Sequence, residues 1–305
     1  MNNYKFYKIY GLIIKSNISL YKSNLLNTNY KNYDAEISLG KINTTLNNNF
    51  KTIGIFNFSK NHIIFTIKDV ATYEITNGNK ITISPKENAD LDEIKKFTIG
   101  SALGLLLFQR NNIAIHGSSV VINDNAIILS GSIGAGKTST TSALINKGYG
   151  FLTDDVASVI KDKNGFYNVN HCIPYQKLCH DTVESLDYDI SKLHQIDKIK
   201  NKYFSPEISN FIKVPKKLKA LFYLTTSSET TEVTCTEISG IEKFNLIISN
   251  IFRIEFIPKE MINPTYIKEV LNLSKNISAY KITRPKIGDS INEMVNFIER
   301  YTYNN

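Results

Sequence analysis

The stretch Ala126-Ile127-Ile128-Leu129-Ser130-Gly131-Ser132-Ile133-Gly134-Ala135-Gly136-Lys137-Thr138-Ser139 decides how the rest of the chain is read. Its first four residues are apolar and predict a strand. Thr138 to Lys147 predicts a helix, and Gly148 is its stop signal. Between them, Gly131, Gly136, Lys137 and Thr138 satisfy the spacing G-x-x-x-x-G-K-[ST]. Glycines at such positions let the backbone take conformations that a Cβ would forbid, so that successive N–H groups can surround a polyphosphate. Gly131, Ser132, Ile133, Gly134, Ala135, Gly136, Lys137, Thr138 and Ser139 are therefore the candidate nucleotide cradle, with ATP as the expected ligand. Lys137 brings a compact positive charge to the β and γ phosphates, and the Thr138 hydroxyl is a candidate Mg²⁺ ligand.

Two flanking segments add chemistry. Upstream, Ile113-Ala114-Ile115-His116-Gly117-Ser118-Ser119-Val120 places a histidine at the end of an apolar run. Downstream, Phe151-Leu152-Thr153-Asp154-Asp155-Val156 ends another such run with two adjacent carboxylates. A phosphate cradle, a histidine and a pair of acids form the minimum set for moving a phosphoryl group to a hydroxyl. In this assignment Thr138 and Asp154 hold Mg²⁺, Asp155 takes the proton from the acceptor, and His116 tunes the acids or the acceptor position. The motif would equally allow the two aspartates to exchange roles.

The order of these features resembles the catalytic domain of the HPr kinase/phosphorylase family: a strand with His-Gly, a hairpin, the glycine loop, a helix ending in Lys147-Gly148-Tyr149, then the Asp pair. The close match covers residues 113–160. A looser resemblance, to HPr-kinase-related serine kinases that include the lasso-peptide kinases, extends to Ile9-Tyr10-Gly11-Leu12-Ile13-Ile14, to Tyr73 through Ile81, and to Gly104 through Arg110. The resemblance implies an α/β P-loop kinase core of the HPr kinase type, a mixed sheet flanked by helices, preceded by a small antiparallel, mostly β N-terminal domain. It implies ATP and Mg²⁺ as cofactors and the hydroxyl of a serine in a peptide or protein as acceptor. The Glu-Ile-Arg-Gly-like phosphorylase signature that follows the Asp pair in that family is absent, which counts against phosphorolysis and against HPr as the acceptor. A small-molecule kinase would share the same motif, and a nucleotide-sensing regulator that transfers nothing is the rival from another class.

At 305 residues with 42% hydrophobic content, the chain has ample material for two modest domains. The expected division is 1–110, β-rich and ending in a buried helix, and 111–305, the catalytic domain. No apolar run approaches the length of a membrane span, the longest candidate being Ala102 to Phe108, and the expected location is cytoplasmic. Three cysteines are too few for a disulfide framework. The net charge of +8 rests almost wholly on lysine, with four arginines, so nucleic-acid recognition is not expected. A homo-oligomer is left open.

The N-terminal strands are expected at Phe6 to Ile14, Thr52 to Phe58, His62 to Ile67, Ala71 to Ile75 and Lys80 to Ser84. Thr76-Asn77-Gly78-Asn79 is a hairpin signal, and Asn24 to Tyr33 and Asn43 to Asn49 read as loops. A helix starts at the capping box Asp90-Leu91-Asp92-Glu93 and runs toward Phe108. Beyond the Asp pair, His171-Cys172-Ile173-Pro174-Tyr175-Gln176-Lys177-Leu178-Cys179-His180 invites a zinc reading. Its spacing opposes one, and the resemblance makes it the family's Pro-Tyr-x-x-Leu segment. The resemblance also implies a basic residue near the phosphates, for which Lys198 and Lys202 are the candidates. Leu218 to Thr225 reads as a buried strand and Ser278 to Thr283 as another. Arg284-Pro285 resembles the family's closing strand, with Arg284 structural, and Ser290 to Tyr301 reads as an amphipathic helix with Ile291, Met294, Val295 and Ile298 on one face.

Overall fold

The computed structural model describes residues 4–28, 30–45, 49–186, 188–197 and 201–303. The chain divides into two compact units, Met1–Ala114 with Phe252–Lys268, and Ile115–Ile251 with Glu269–Asn305. A single cut between 110 and 111 would leave Phe252–Lys268 with the wrong partner. That segment carries Phe252, whose ring leaves no room for a Cβ on Gly104, and Phe256, whose ring lies 5.2 Å from that of Phe56.

The first unit is a sheet of nine strands among the described residues: β1 (Lys5–Ile9), β2 (Leu12–Ser16), β3 (Leu25–Leu26), β4 (Ala35–Leu39), β5 (Lys51–Ile53), β6 (Phe56–Ser59), β7 (His62–Ile67), β8 (Ala71–Thr76) and β9 (Lys80–Pro85). Their order is β3-β1-β2-β4-β9-β8-β7-β6-β5. The expected single strand Phe6 to Ile14 is a hairpin. Tyr10 and Gly11 both take positive φ, 55° and 82°, which matches a two-residue turn to the twist of its strands. The expected antiparallel domain is corrected to a mixed sheet, because β2 and β4, and β4 and β9, run parallel. Parallel neighbours need a long return of the chain. The first such return is the run between Ser16 and Ala35, and the second is the whole meander from β5 to β8.

The helix expected from Asp90 to Phe108 is present in two pieces, α1 (Leu91–Phe97) and α2 (Leu103–Gln109), joined by a π turn at Thr98–Ala102. Asp90 caps it by accepting the N–H of Asp92. The Thr98 hydroxyl donates to the Ile94 carbonyl at 2.7 Å inside the widened turn.

In the second unit the elements are β10 (Ile113–His116), β11 (Ser118–Ile122), β12 (Asn125–Gly131), α3 (Lys137–Asn146), β13 (Gly150–Thr153), β14 (Val156–Lys161), β15 (Tyr167–Asn170), β16 (Lys177–Cys179), α4 (His180–Ser185), β17 (Gln195–Asp197), β18 (Lys202–Phe204), β19 (Lys216–Ser227), β20 (Thr234–Glu237), α5 (Gly240–Ser249), α6 (Pro264–Asn276), β21 (Ser278–Pro285) and α7 (Ile291–Tyr303). Strand β10 and helix α6 each begin in the first unit and end in the second. The main sheet runs β10-β14-β15-β19-β12-β11-β13, with β21 parallel to β19 and β20 antiparallel to β21. Strand β19 is parallel to β12 on one side and β21 on the other, and such strands are buried on both faces. That accounts for the apolar run Leu221 to Leu224. Leu144 of α3 and Met294, Val295 and Ile298 of α7 join the core built on Ile127, Leu129 and Phe222. A separate three-stranded sheet, β16-β18-β17, carries the segment that follows Pro174.

Candidate active site

Strand β12 delivers the chain to the glycine loop, and the parallel neighbour β19 decides which residue can stand there. A Cβ on Gly131, at φ 144°, would lie 2.1 Å from the carbonyl oxygen of Leu224. The same carbonyl accepts the N–H of Ser132 at 3.1 Å. Gly136, at φ 96°, holds the left-handed conformation from which α3 starts. Ala135 is buried and Ile133 is fully exposed at the tip. Thr138 and Ser139 form the half-buried first turn of the helix.

Lys137 folds back over the loop. Its Nζ donates to the carbonyls of Gly131 (2.7 Å) and Ser132 (3.0 Å). Burial pushes the amine below the ordinary lysine value, while the charges of Asp154 and Asp155 act in the opposite sense and Lys202 adds to the lowering. Lys137 therefore sits in the field of both acids and of Lys202, one of the two basic residues singled out in the sequence. Lys198, the other, lies outside the described residues.

Arg284, at the end of β21, closes the loop from the other side. Its Nε donates to the carbonyl of Ala135 (3.2 Å) and a terminal nitrogen to that of Gly134 (2.9 Å). The guanidinium thus holds the loop's backbone, in keeping with a structural part for this residue.

The Asp pair forms the turn between β13 and β14. Asp155 takes a left-handed conformation, φ 68°, which a short polar side chain tolerates better than most. Asp154 is fixed at both oxygens. Oδ1 accepts from the hydroxyl of Ser118 (2.5 Å) and Oδ2 from the backbone N–H of Lys177 (2.8 Å). Burial pushes this carboxyl above its ordinary value, the Ser118 bond resists, and the neighbouring charge of Asp155 adds to the push. Asp155 forms an ion pair with Lys177 Nζ at 2.8 Å. His116, 46% exposed, sets Nδ1 3.1 Å from the Asp155 carbonyl and 3.4 Å from its carboxylate. The structure thus brings His116, Asp154 and Asp155 together and places Lys137 within their electrostatic reach.

Two residues of this constellation, Gln176 and Lys177, carried no role in the sequence reading. Buried Gln176 donates to the Thr138 carbonyl (2.9 Å) and accepts from the Ser142 hydroxyl (2.7 Å), tying its segment to α3. Lys177, next in the chain, holds one aspartate through its backbone and the other through its side chain. Burial works against the charged amine, and Asp155 outweighs it, so the Lys177 pKa lies above its ordinary value. The available signal was that Lys177 is the single cation in the run His171 to His180, where the cysteines and histidines drew the reading instead.

No family model matches this chain, and no curated protein matches its sequence. Among solved structures, the HPr(Ser) kinase/phosphatase from Coxiella burnetii is similar over 63% of this chain and 94% of its own, at TM-score 0.31 and 12% sequence identity. At that overlap the likeness decides nothing about the reaction, which has to come from the site.

The Cys/His segment is distributed over its own elements. Cys172 is buried, Cys179 Sγ lies 3.1 Å from the Thr182 hydroxyl, and His180 pairs with Glu184 along α4. Among the described residues there is no group of three or more His, Cys, Asp or Glu side chains placed to hold a metal ion, and no helix long and apolar enough to cross a membrane.

Proposed function

We propose that the second unit is an ATP-dependent phosphotransferase acting on a hydroxyl, with a serine of a peptide or protein as acceptor. The observation that carries this reading is that two adjacent residues join the glycine loop to the carboxylate pair: Gln176 donates to the carbonyl of Thr138, and Lys177 clamps Asp154 and Asp155. In the reaction, the acceptor oxygen bonds to the γ-phosphorus, the bond from that phosphorus to the β,γ-bridging oxygen breaks, and ADP leaves. The acceptor proton passes to Asp155. Lys137 exchanges its two loop carbonyls for phosphate oxygens, and His116 positions the Asp155 turn.

Thr138 and Asp154 are the residues that would hold Mg²⁺, and a hydroxyl and a carboxylate are the hard oxygen donors this ion prefers. When bound, the ion neutralises charge on the phosphate oxygens. Ser118 and the Lys177 N–H orient the Asp154 carboxylate for that task.

The test is Lys137→Ala, measured for nucleotide affinity and for phosphate transfer to serine-containing peptides in parallel. Transfer falls to background and ATP affinity drops. Transfer at the parental rate would remove this loop from the reaction.

A further inference from the structure

The phosphate loop accounts for one end of a nucleotide, and Arg284 leads to a place for the other. Its guanidinium grips the carbonyls of Gly134 and Ala135, and the residue after it, Pro285, lines a cavity of about 800 Å³. The opposite wall is the last residue of β19, Ser227, and the turn that runs from it to Val233, held to the first by the last β19–β21 register pair, Ser227 with Pro285, and by the bond from the Lys286 N–H to the Ser227 carbonyl. Phe297 and Glu293 of α7 also line it. The cavity lies wholly within the second unit and one residue away from a direct loop contact.

Its chemistry is unlike that of the loop. Pro285, Ile287, Val233 and Phe297 supply apolar surface, and Ile287 is 89% exposed. Three carboxylates, Glu232, Asp289 and Glu293, stand against the single cation Lys286. Such a rim repels phosphate and accepts hydrogen bonds from an amine. A flat, uncharged ring bearing an exocyclic amine matches both features, and pockets of several hundred cubic ångströms are the usual size for such ligands.

We propose that this cavity is the base site of the nucleotide, with the purine ring laid against Ile287 and Pro285 and its amine toward the acidic rim. The proposal rests on the nucleotide reading of the loop and adds the base-recognition site to it.

The chain contains no tryptophan, so Ile287→Trp would introduce a unique reporter at an exposed position. Bases stack on an indole face. ATP should therefore change its emission, while inorganic tripolyphosphate, which occupies the loop alone, should bind by calorimetry and leave emission unmoved. Ile241→Trp, at the exposed start of α5, should respond to neither. A second variant, Ile287→Asp, should weaken ATP binding at least tenfold with tripolyphosphate affinity unchanged. ATP that binds both variants as tightly as the parent and leaves the indole silent would overturn the base site and spare the loop reading. A parent protein that binds neither ATP nor tripolyphosphate would overturn both.

Discussion

Lys177 meets the two aspartates by different atoms, its N–H on Asp154 and its amine on Asp155, so each carboxylate loses something different when altered. Asp154→Asn removes charge from the residue assigned to Mg²⁺ and should raise the Mg²⁺ requirement and weaken MgATP binding. Asp155→Asn should bind MgATP as the parent does and lose on the order of 10² to 10⁴ in turnover, the range for a general base. MgATP titrations followed by peptide phosphorylation separate the two. Exchanged phenotypes would exchange the roles, and two variants as active as the parent would end the catalytic reading of the pair. Lys177→Met leaves two adjacent carboxylates without their cation. Because the ion pair is only partly buried, the expected loss is about 1–2 kcal/mol, between the values for exposed and buried pairs. Lys177→Arg should recover most of it in denaturant melts, and a Met variant as stable as the parent would show that the pair contributes nothing.

At the scale of elements, the parts legible in the sequence were those with a local cause. The glycine loop with its strand and helix, the Asn77-Gly78 hairpin and the stripe Met294, Val295, Ile298 of α7 each follow from backbone sterics or period, and each is present. What was not legible depends on partners far along the chain. β4 is a strand because it fits between β2 and β9, and Lys177 is a clamp because β13 and β14 turn beside it. The parallel β2–β4 pair can be probed by acid. Lys15 and Glu36 stand opposite each other and form an ion pair at 3.0 Å. Burial acts to raise the Glu36 carboxyl, but the hydrogen bonds from Lys15 and Tyr33 outweigh it and hold the group below its ordinary value. A depressed carboxylate contributes stability above its unfolded pKa and loses it as the pH falls through the folded one. The stability difference between the parent and Glu36→Gln should thus be about 0.5–1 kcal/mol at pH 7 and disappear as the pH falls below the ordinary carboxylate range. A difference independent of pH would show that the ion pair is not its source.

At the scale of the molecule, the sequence placed a boundary near 110, and the glycine loop and the acids lie after it. No local pattern indicated that Phe252–Lys268 belongs with the first unit, because its attachments are scattered single contacts, such as the Phe252 ring on Gly104, Arg253 on the Ser101 hydroxyl, Phe256 on Phe56 and Glu260 on Lys51, which leave no period to read. This arrangement has a consequence for the order of synthesis. The β1–β9 sheet and its helix leave the ribosome first, and domains commonly fold in that order. Here the rings that complete the early unit are translated only after most of the later one. The nascent first unit must wait on the ribosome with Gly104 and Phe56 uncovered until residue 256 has emerged, so a stall within β19 to α5 would strand both units unfinished.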